Sequence, residues 1–437
     1  MSEIKDEQAL AEEELLKLAA TQQVIQVGGR QREQDGTVFG WRKWSRSHSQ
    51  REEEVVICYG REEWNQEQKS QLLSLVSWNV LSDTWWNKEK AGGEYSHTEP
   101  QQGEWSYRLS LILQWIEHLN PNILALQEID YRKFDDLLQE LAKRGYTGKI
   151  QKPKKKAEKQ PCGVATFWKA DKFKFVKEAS FSRTQCVVLA WSCENDTQLC
   201  ITNVHLESSQ NQSGFDRRAR QLNSALAWAA TEASDATLLV CGDWNTSADA
   251  QLFQVLREYS WHGHVLSSVY EHPDTHQTLP VSHATFLVPG HHYSIDHMLY
   301  DPERLRLKCA LNAFSKEEMD EHVHRNGDNC GFPSAFCPSD HIPIGAMFEL
   351  LPQTDVTINQ CSVVSIPIQV SEERKAELIA QWESLQAQRP TQTKGKPTPE
   401  EIAERRVYAN AIKAWKQTVE DNPTEKELVN QLIKGNK

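Results

Sequence analysis

The chain has 437 residues, 39% hydrophobic and 25% charged, with a formal net charge of −12. That composition describes a globular protein with polar additions and excludes one that is basic throughout, such as a histone-like binder. No apolar run approaches the roughly 18 residues of a membrane-spanning helix, so a helical membrane protein is excluded too. The start of the chain, Met1-Ser2-Glu3-Ile4-Lys5-Asp6-Glu7, is acidic and lacks an apolar segment. It reads as neither a secretory signal nor an Arg-rich transit peptide, which places the expected location in the cytoplasm, the nucleus or both. The ten cysteines are scattered, several of them in apolar runs (Cys186, Cys200, Cys241), and read as reduced, buried thiols. His322, His324, Cys330 and Cys337 match no common zinc frame and read as loop residues.

In chain order, residues 3–20 carry Leu10, Leu15, Leu16 and Leu18 among many glutamates, which predicts an amphipathic helix closed at Gly28-Gly29. Runs at 37–44 and 55–59 predict a hairpin. Between Leu72 and Leu350 short apolar runs alternate with amphipathic stretches. Strands are predicted over 72–78, 123–126, 164–168, 186–191, 199–204, 237–241, 294–300 and 344–350, and helices over 105–119, 131–142, 216–231 and 248–258. Some strands follow one another directly, so sheets covered by helices are expected rather than an all-parallel barrel. Beyond Pro352 the pattern turns helical and polar. Leu378, Ile379, Trp382 and Leu385 form a stripe within 371–388, and a Pro/Thr/Lys/Gly linker runs over 390–399. Thr398 then caps a second helix with Pro399 first and Glu401 third, and Asn422-Pro423-Thr424-Glu425 starts a third. Three parts are expected: an N-terminal extension (1–70), a catalytic domain (71–352) and a helical C-terminal extension (353–437) suited to a protein partner.

Polar groups stand at the ends of the apolar runs: Ser77-Trp78-Asn79, Leu126-Gln127-Glu128, Asn203-Val204-His205, Gly242-Asp243-Trp244-Asn245, Ser294-Ile295-Asp296-His297 and Ser339-Asp340-His341. Each alone has a bland reading as a solvated strand end, a turn or a structural histidine. Together they offer hard oxygen ligands, a His–carboxylate pair and uncharged donors, which is what metal-assisted phosphoester cleavage requires. Glu128 beside Asn79 is a candidate anchor for Mg²⁺ (or Mn²⁺), because magnesium takes few carboxylates and keeps several waters. Asp340 is a candidate for the metal or its water shell. Asp296 is suited to orient His341 and fix its tautomer, and His205 can donate to a phosphate oxygen.

Substrate contacts are sought in basic and aromatic residues. From Arg132 to Lys177 the chain holds 14 Lys or Arg against 5 Asp or Glu. The loop with Lys152, Lys154, Lys155, Lys156 and Lys159 can track a phosphate backbone, and Arg217, Arg218 and Arg220 open the helix after His205. Trp85, Trp86, Phe332 and Phe336 lie near the motif loops and are candidates to stack on bases, each with core packing as the plain alternative.

Over Leu72–Leu350 these motifs, with Arg108 in the helix after Asn79, the run from Pro121 to Glu128 and Gly163-Val164-Ala165-Thr166-Phe167-Trp168-Lys169, resemble the endonuclease/exonuclease/phosphatase superfamily. Within it they are most like the branch of deadenylases, nocturnin and Angel. The resemblance implies a DNase-I-like, four-layer α/β/β/α sandwich with the site at the strand ends. It implies that Glu128 holds Mg²⁺ with help around Asn79, that Asp243 positions or relays protons, that Asn245 and His205 stabilise the phosphate, and that His341 and Asp296 form a dyad. The implied activity is a Mg²⁺-dependent phosphodiesterase acting on RNA, in the form of a 3′→5′ exoribonuclease. Phosphatase or phosphodiesterase action on 2′,3′-cyclic ends or small nucleotides, a DNA-repair nuclease and a non-enzymatic scaffold stand as alternatives. After His205 the segment Glu207–Gly214 contains no proline, unlike the adenine-clamping segment of deadenylases, so poly(A) preference is not implied.

Overall fold

The protein is represented by a computed structural model. It describes residues 44–46, 72–89, 92–153, 161–192, 194, 196–247, 251–256, 260–261, 264–270, 285–289, 291–311, 331–335, 337–352, 372–390, 398–419, 428–430 and 432–433. The expected N-terminal helix, most of the expected hairpin, Lys154–Lys156, Lys159, His322, His324, Cys330, Phe336 and the segment Asn422–Glu425 lie outside those residues.

Two apolar β-α-β units organise the fold. In the first, β2 (Leu72–Asn79) leads through α1 (Asp83–Glu89) and α2 (Trp105–Leu119) to a parallel neighbour, β3 (Ile123–Asp130). In the second, β8 (Thr197–His205) leads through α4 (Gln212–Glu232) to its parallel neighbour, β9 (Thr237–Asp243). Every residue of β2 and of β9 is buried, as expected of strands covered on both faces. Helix α2 runs over the residues its apolar spacing predicts, with Arg108, Ile112, Trp115, Ile116 and Leu119 on the buried side. It stops at Asn120, whose left-handed φ of 41° ends the helical path. Helix α4 starts at Asn211, whose side chain accepts the Gly214 N–H at 2.9 Å.

Antiparallel strands complete each sheet. Strands β1 (Trp44–Arg46), β16 (Leu305–Leu311), β17 (Ile344–Leu350), β2, β3, β5 (Cys162–Lys169) and β4 (Tyr146–Ile150) lie side by side in that order. The second sheet has the order β12 (Ser267–Ser268), β15 (Asp296–Tyr300), β9, β8, β7 (Thr184–Trp191), β6 (Phe173–Phe181). Short hairpins pair β10 (Ser260–Trp261) with β11 (His264–Val265), and β13 (Phe286–Val288) with β14 (His291–Tyr293). The sheets face each other across a core that includes Leu75, Ile123, Val187, Leu189, Ile201, Leu239, Met298 and Phe348. Each such aliphatic side chain contributes about 1.5–3 kcal/mol by leaving water. On the outer face of the second sheet, α4 and α5 (Gln251–Leu256) bury Leu222, Leu226, Leu252 and Phe253 against Val188, Cys200 and Val240. On the first, Trp115 of α2 meets Trp78 with ring centroids 5.9 Å apart, and Phe134 of α3 (Phe134–Ala142) meets Phe167 at 5.7 Å. The result is the four-layer α/β/β/α sandwich.

In the C-terminal part, α6 (Glu372–Ala387) and α7 (Pro399–Thr418) join through Trp382 and Trp415, stacked at 5.3 Å. Leu378, Val419 and Val429 close that small core. Thr398 and Glu401 form the predicted capping box. Ile379 departs from its expected stripe and is 39% exposed. The six described cysteines are all buried thiols outside any disulfide, and Cys337 donates its Sγ hydrogen to the Ser339 carbonyl at 3.2 Å. No helix among the described residues is long and apolar enough to cross a membrane.

Candidate active site

Parallel strands deliver their C-terminal ends to one edge of a sheet, and here both parallel pairs point to the same rim. Asn79 ends β2, Glu128 lies near the end of β3, His205 ends β8 and Asp243 ends β9. The antiparallel partners start where these strands stop. Asp296 opens β15 directly opposite Asp243, and His341 precedes β17, whose Ile344 pairs with Ser77. Topology alone therefore gathers residues from six separate segments.

Local backbone sets the aim of each side chain. At Glu128 the ladder with β5 slips between Leu126 and Ile129 and φ is 60°, a bulge that turns the carboxylate out of the strand. Gly242 has φ of 145°, and a Cβ there would lie 1.9 Å from the Val204 carbonyl, so only glycine allows β9 so close to β8 just before Asp243. Asn245 is held at φ 50° by its own Nδ2, which donates to the Leu206 carbonyl at 3.0 Å, and its N–H donates to Asp243 Oδ1 at 2.9 Å.

The groups converge on the Asp243 carboxylate. Its Oδ2 accepts from Asn79 Nδ2 at 3.1 Å and lies 3.6 Å from His205 Nε2 and 3.8 Å from His341 Nε2. His205 Nε2 is also 3.6 Å from Glu128 Oε1, and Glu128 Oε2 accepts the Ser82 N–H at 2.8 Å. On its far side, His341 Nδ1 lies 2.7 Å from Asp296 Oδ2. Asp340 accepts from the Tyr95 hydroxyl at 2.5 Å.

Burial and crowding make this a charged site. Burial, with Asp340 and Asp243 nearby, pushes the Glu128 carboxyl up to about 7. Burial also pushes Asp243 up to about 7, with the Asp296 charge adding to it and the His341 imidazolium opposing. At His341, burial works against the charged form, but Asp296, Asp243 and Asp340 outweigh it and hold the ring well above the usual histidine range. His205 goes the other way: burial, the Arg183 guanidinium and His341 all keep it neutral. The arrangement thus offers one imidazole as a cation and hydrogen-bond donor, one neutral imidazole, and a carboxylate poised to exchange a proton.

The donor set also fits a hard divalent cation. Glu128 and Asp340 are oxygen ligands of the kind magnesium takes, and the mutual repulsion that raises Glu128 is what a bound cation would relieve. Asn79 is mainly engaged otherwise, donating to Asp243 while its Oδ1 accepts the Leu81 N–H at 3.1 Å.

Of the candidate residues, His205, Asp243, Asn245, Asp296, His341, Asn79, Glu128 and Asp340 come together at the rim. Two expectations for substrate contact are corrected. Arg108 is fully buried and cannot meet substrate: its Nη1 donates to the carbonyls of Val80 (2.9 Å), Leu81 (2.7 Å) and Pro338 (3.3 Å), and its Nη2 to Asp83. Phe332 is fully buried and belongs to the packing under the rim. Arg217 is half-exposed and sits 3.5 Å from Glu207. Lys154, Lys155 and Phe336 are outside the described residues.

Sequence reasoning missed the supports. Tyr95 comes from a loop without periodicity. Thr285, isolated between segments, accepts the N–H groups of Ile295 and Asp296 at 3.1 Å. Asp130 accepts from Ser82 Oγ and the Asp83 N–H at 3.0 Å, fixing the turn after Asn79. Gln127 and Asn203 bond across the two sheets at 2.8 Å; both stand in the quoted motifs, where an amide next to each functional residue was the available signal.

A sandwich of two helix-covered mixed sheets, with buried carboxylates and imidazoles gathered at the strand ends, defines a DNase-I-like α/β protein. The chain belongs to the Endonuclease/Exonuclease/phosphatase family, whose profile matches residues 76–341. It is similar to human nocturnin, 25% identical over 304 residues that cover 65% of this chain and 66% of that protein. It is also similar to Carbon catabolite repressor protein 4 homolog 3 of Arabidopsis thaliana, 29% identical over 195 residues and 42% of each chain. The CCR4-Not complex 3′-5′-exoribonuclease subunit Ccr4 of Candida albicans is 21% identical over 65% of this chain, and only 42% of its own length is spanned. Among solved structures, ANGEL2, described as a 2′,3′-cyclic phosphatase, superposes with a TM-score of 0.53 at 19% identity, over 64% of this chain and 96% of that one.

Proposed function

We propose that the chain is a Mg²⁺-dependent phosphodiesterase that shortens RNA from its 3′ end, and that residues 71–352 carry this activity. The observation that carries the reading is the convergence on Asp243 Oδ2 of Asn79, His205 and an Asp296-oriented His341, beside the Glu128 carboxylate. The name of one relative, a 3′-5′-exoribonuclease subunit, favours RNA over other phosphoesters.

In this reading Glu128 and Asp340 hold the metal, which when bound supplies positive charge against the phosphoryl oxygens. Asp243, kept in place by Asn79 and the Asn245 N–H, orients the attacking water and accepts its proton. His341, locked by Asp296 through Nδ1, presents Nε2 to the phosphate as a cationic donor. His205 and Asn245 add donors to the non-bridging oxygens. The charge of a loose phosphoryl transition state is met from several sides at once.

Purified protein incubated with 5′-labelled RNA and Mg²⁺ should yield progressively shorter labelled products. Glu128→Ala should slow this by at least about 100-fold. Shortening that survives the substitution would sink the proposal. Release of phosphate from a 2′,3′-cyclic end without loss of length would replace it with the phosphatase reading.

A further inference from the structure

The rim does not end at His205. Across the second sheet, Asp243, His205 and then Arg183 occupy successive strand ends, each step about 4.8 Å in the sheet direction. Arg183 sits at the turn of the β6–β7 hairpin, and its carbonyl accepts the His205 N–H at 2.9 Å, so its root is tied to the end of β8. Its φ is 61°, a conformation that a side-chain-bearing residue seldom adopts without a local reason. The guanidinium is 27% exposed and lies 3.9 Å from Glu207 through Nε, while no hydrogen bond to a described residue uses its remaining nitrogens. Glu207 is in turn steadied by Ser209 at 2.8 Å and by Arg217 at 3.5 Å.

Beyond the hairpin the basic loop begins. Gln151 donates through Nε2 to the Phe181 carbonyl, and the Lys152 N–H donates to Ser180 Oγ at 3.1 Å. Gln151 and Lys152 are therefore tied to the same hairpin that carries Arg183.

We infer that Arg183 is a second phosphate-binding group, holding the phosphodiester next to the one at His205, so that the preferred substrate is a nucleotide chain with consecutive phosphates. This deepens the proposed function and rests on it. A planar guanidinium braced on one edge by Glu207 keeps its other edge free for the paired oxygens of a phosphate. A substrate with a single phosphate fills the His205 position and gains nothing from Arg183.

Binding of a labelled ten-nucleotide RNA in EDTA, measured by anisotropy between about 50 and 200 mM salt, tests this. Arg183→Gln should weaken binding about tenfold and reduce the log–log salt slope by about 0.7, the value for one contact on a single strand. Arg183→Lys should restore the slope. Arg183→Gly, which suits the backbone conformation, should bind as weakly as Arg183→Gln, which separates side-chain loss from misfolding. With Mg²⁺, kcat/KM on the ten-nucleotide RNA should fall, through KM, much further than kcat/KM on a dinucleotide with one phosphate. Unaltered affinity and slope, or equal losses on both substrates, would overturn the assignment and leave the proposed function standing. A wild-type protein that neither binds nor shortens RNA would overturn both.

Discussion

In the proposed reaction the Asp296–His341 pair is central, because the 2.7 Å contact at Nδ1 decides what Nε2 can do. With the carboxylate in place, Nδ1 carries a proton toward Asp296 and Nε2 faces Asp243. Asp296→Asn keeps the shape but exchanges a carboxylate that accepts at both oxygens for an amide that can donate. Turnover should fall on the order of 10⁴-fold, the scale on which the orienting carboxylate of a Ser-His-Asp triad acts. Substrate affinity and the thermal midpoint should change little; a parallel loss of folding would mean that the carboxylate serves packing instead. Phe286 bounds the other side of the imidazole with centroids 5.2 Å apart, so the ring has little room to swing away once released.

At the scale of elements, Arg108 shows how a helix governs a site it does not enter. It leaves α2 on the buried side and binds three carbonyls, two in the turn after β2 and one in the loop before His341. One guanidinium thus joins the segments that present Asn79 and Asp340. Arg108→Met removes the donors and leaves those carbonyls buried. The expected loss is about 3 kcal/mol in denaturant unfolding, with kcat falling further than stability alone explains. Full activity in the folded variant would show that the turns hold without it. Strand edges were harder to read than this helix. The β6 run Phe173-Lys174-Phe175-Val176-Lys177-Glu178 carries charges because it is an outer strand, and Tyr146–Ile150 is short with a glycine at its centre. Both resemble loops by composition, while the fully buried strands β2, β7 and β9 announce themselves as mainly apolar runs free of charges before their last residue.

At the scale of the molecule, the C-terminal helices bury their own aromatic pair, Trp382 on Trp415, with Leu378, Val419 and Val429. A chain lacking residues 353–437 should keep RNA-shortening activity within a few-fold of the full protein, as expected if catalysis lies in 71–352. Loss of activity despite a folded sandwich would extend the catalytic unit into the helices. The rim residues were legible in the sequence because each ends an apolar run; Asn79, His205 and Asp243 needed no tertiary knowledge to be singled out. Tyr95, Thr285 and Arg183 were not, since their importance comes from what folds beside them. Arg108 and Phe332, expected to meet substrate, are buried instead, a difference of facing that periodicity cannot resolve for residues beside a loop.

The pairing of Gln127 with Asn203 has a further consequence. It ties the two sheets together one residue before Glu128 on one side and two before His205 on the other. The sandwich is therefore more than a support: its alignment is the ruler against which the reacting groups are measured. A slide of about 1 Å between the layers would leave each strand ladder intact yet spoil the geometry. Drift in the outer helices costs the fold stability, whereas drift in this one amide pair costs the rim calibration.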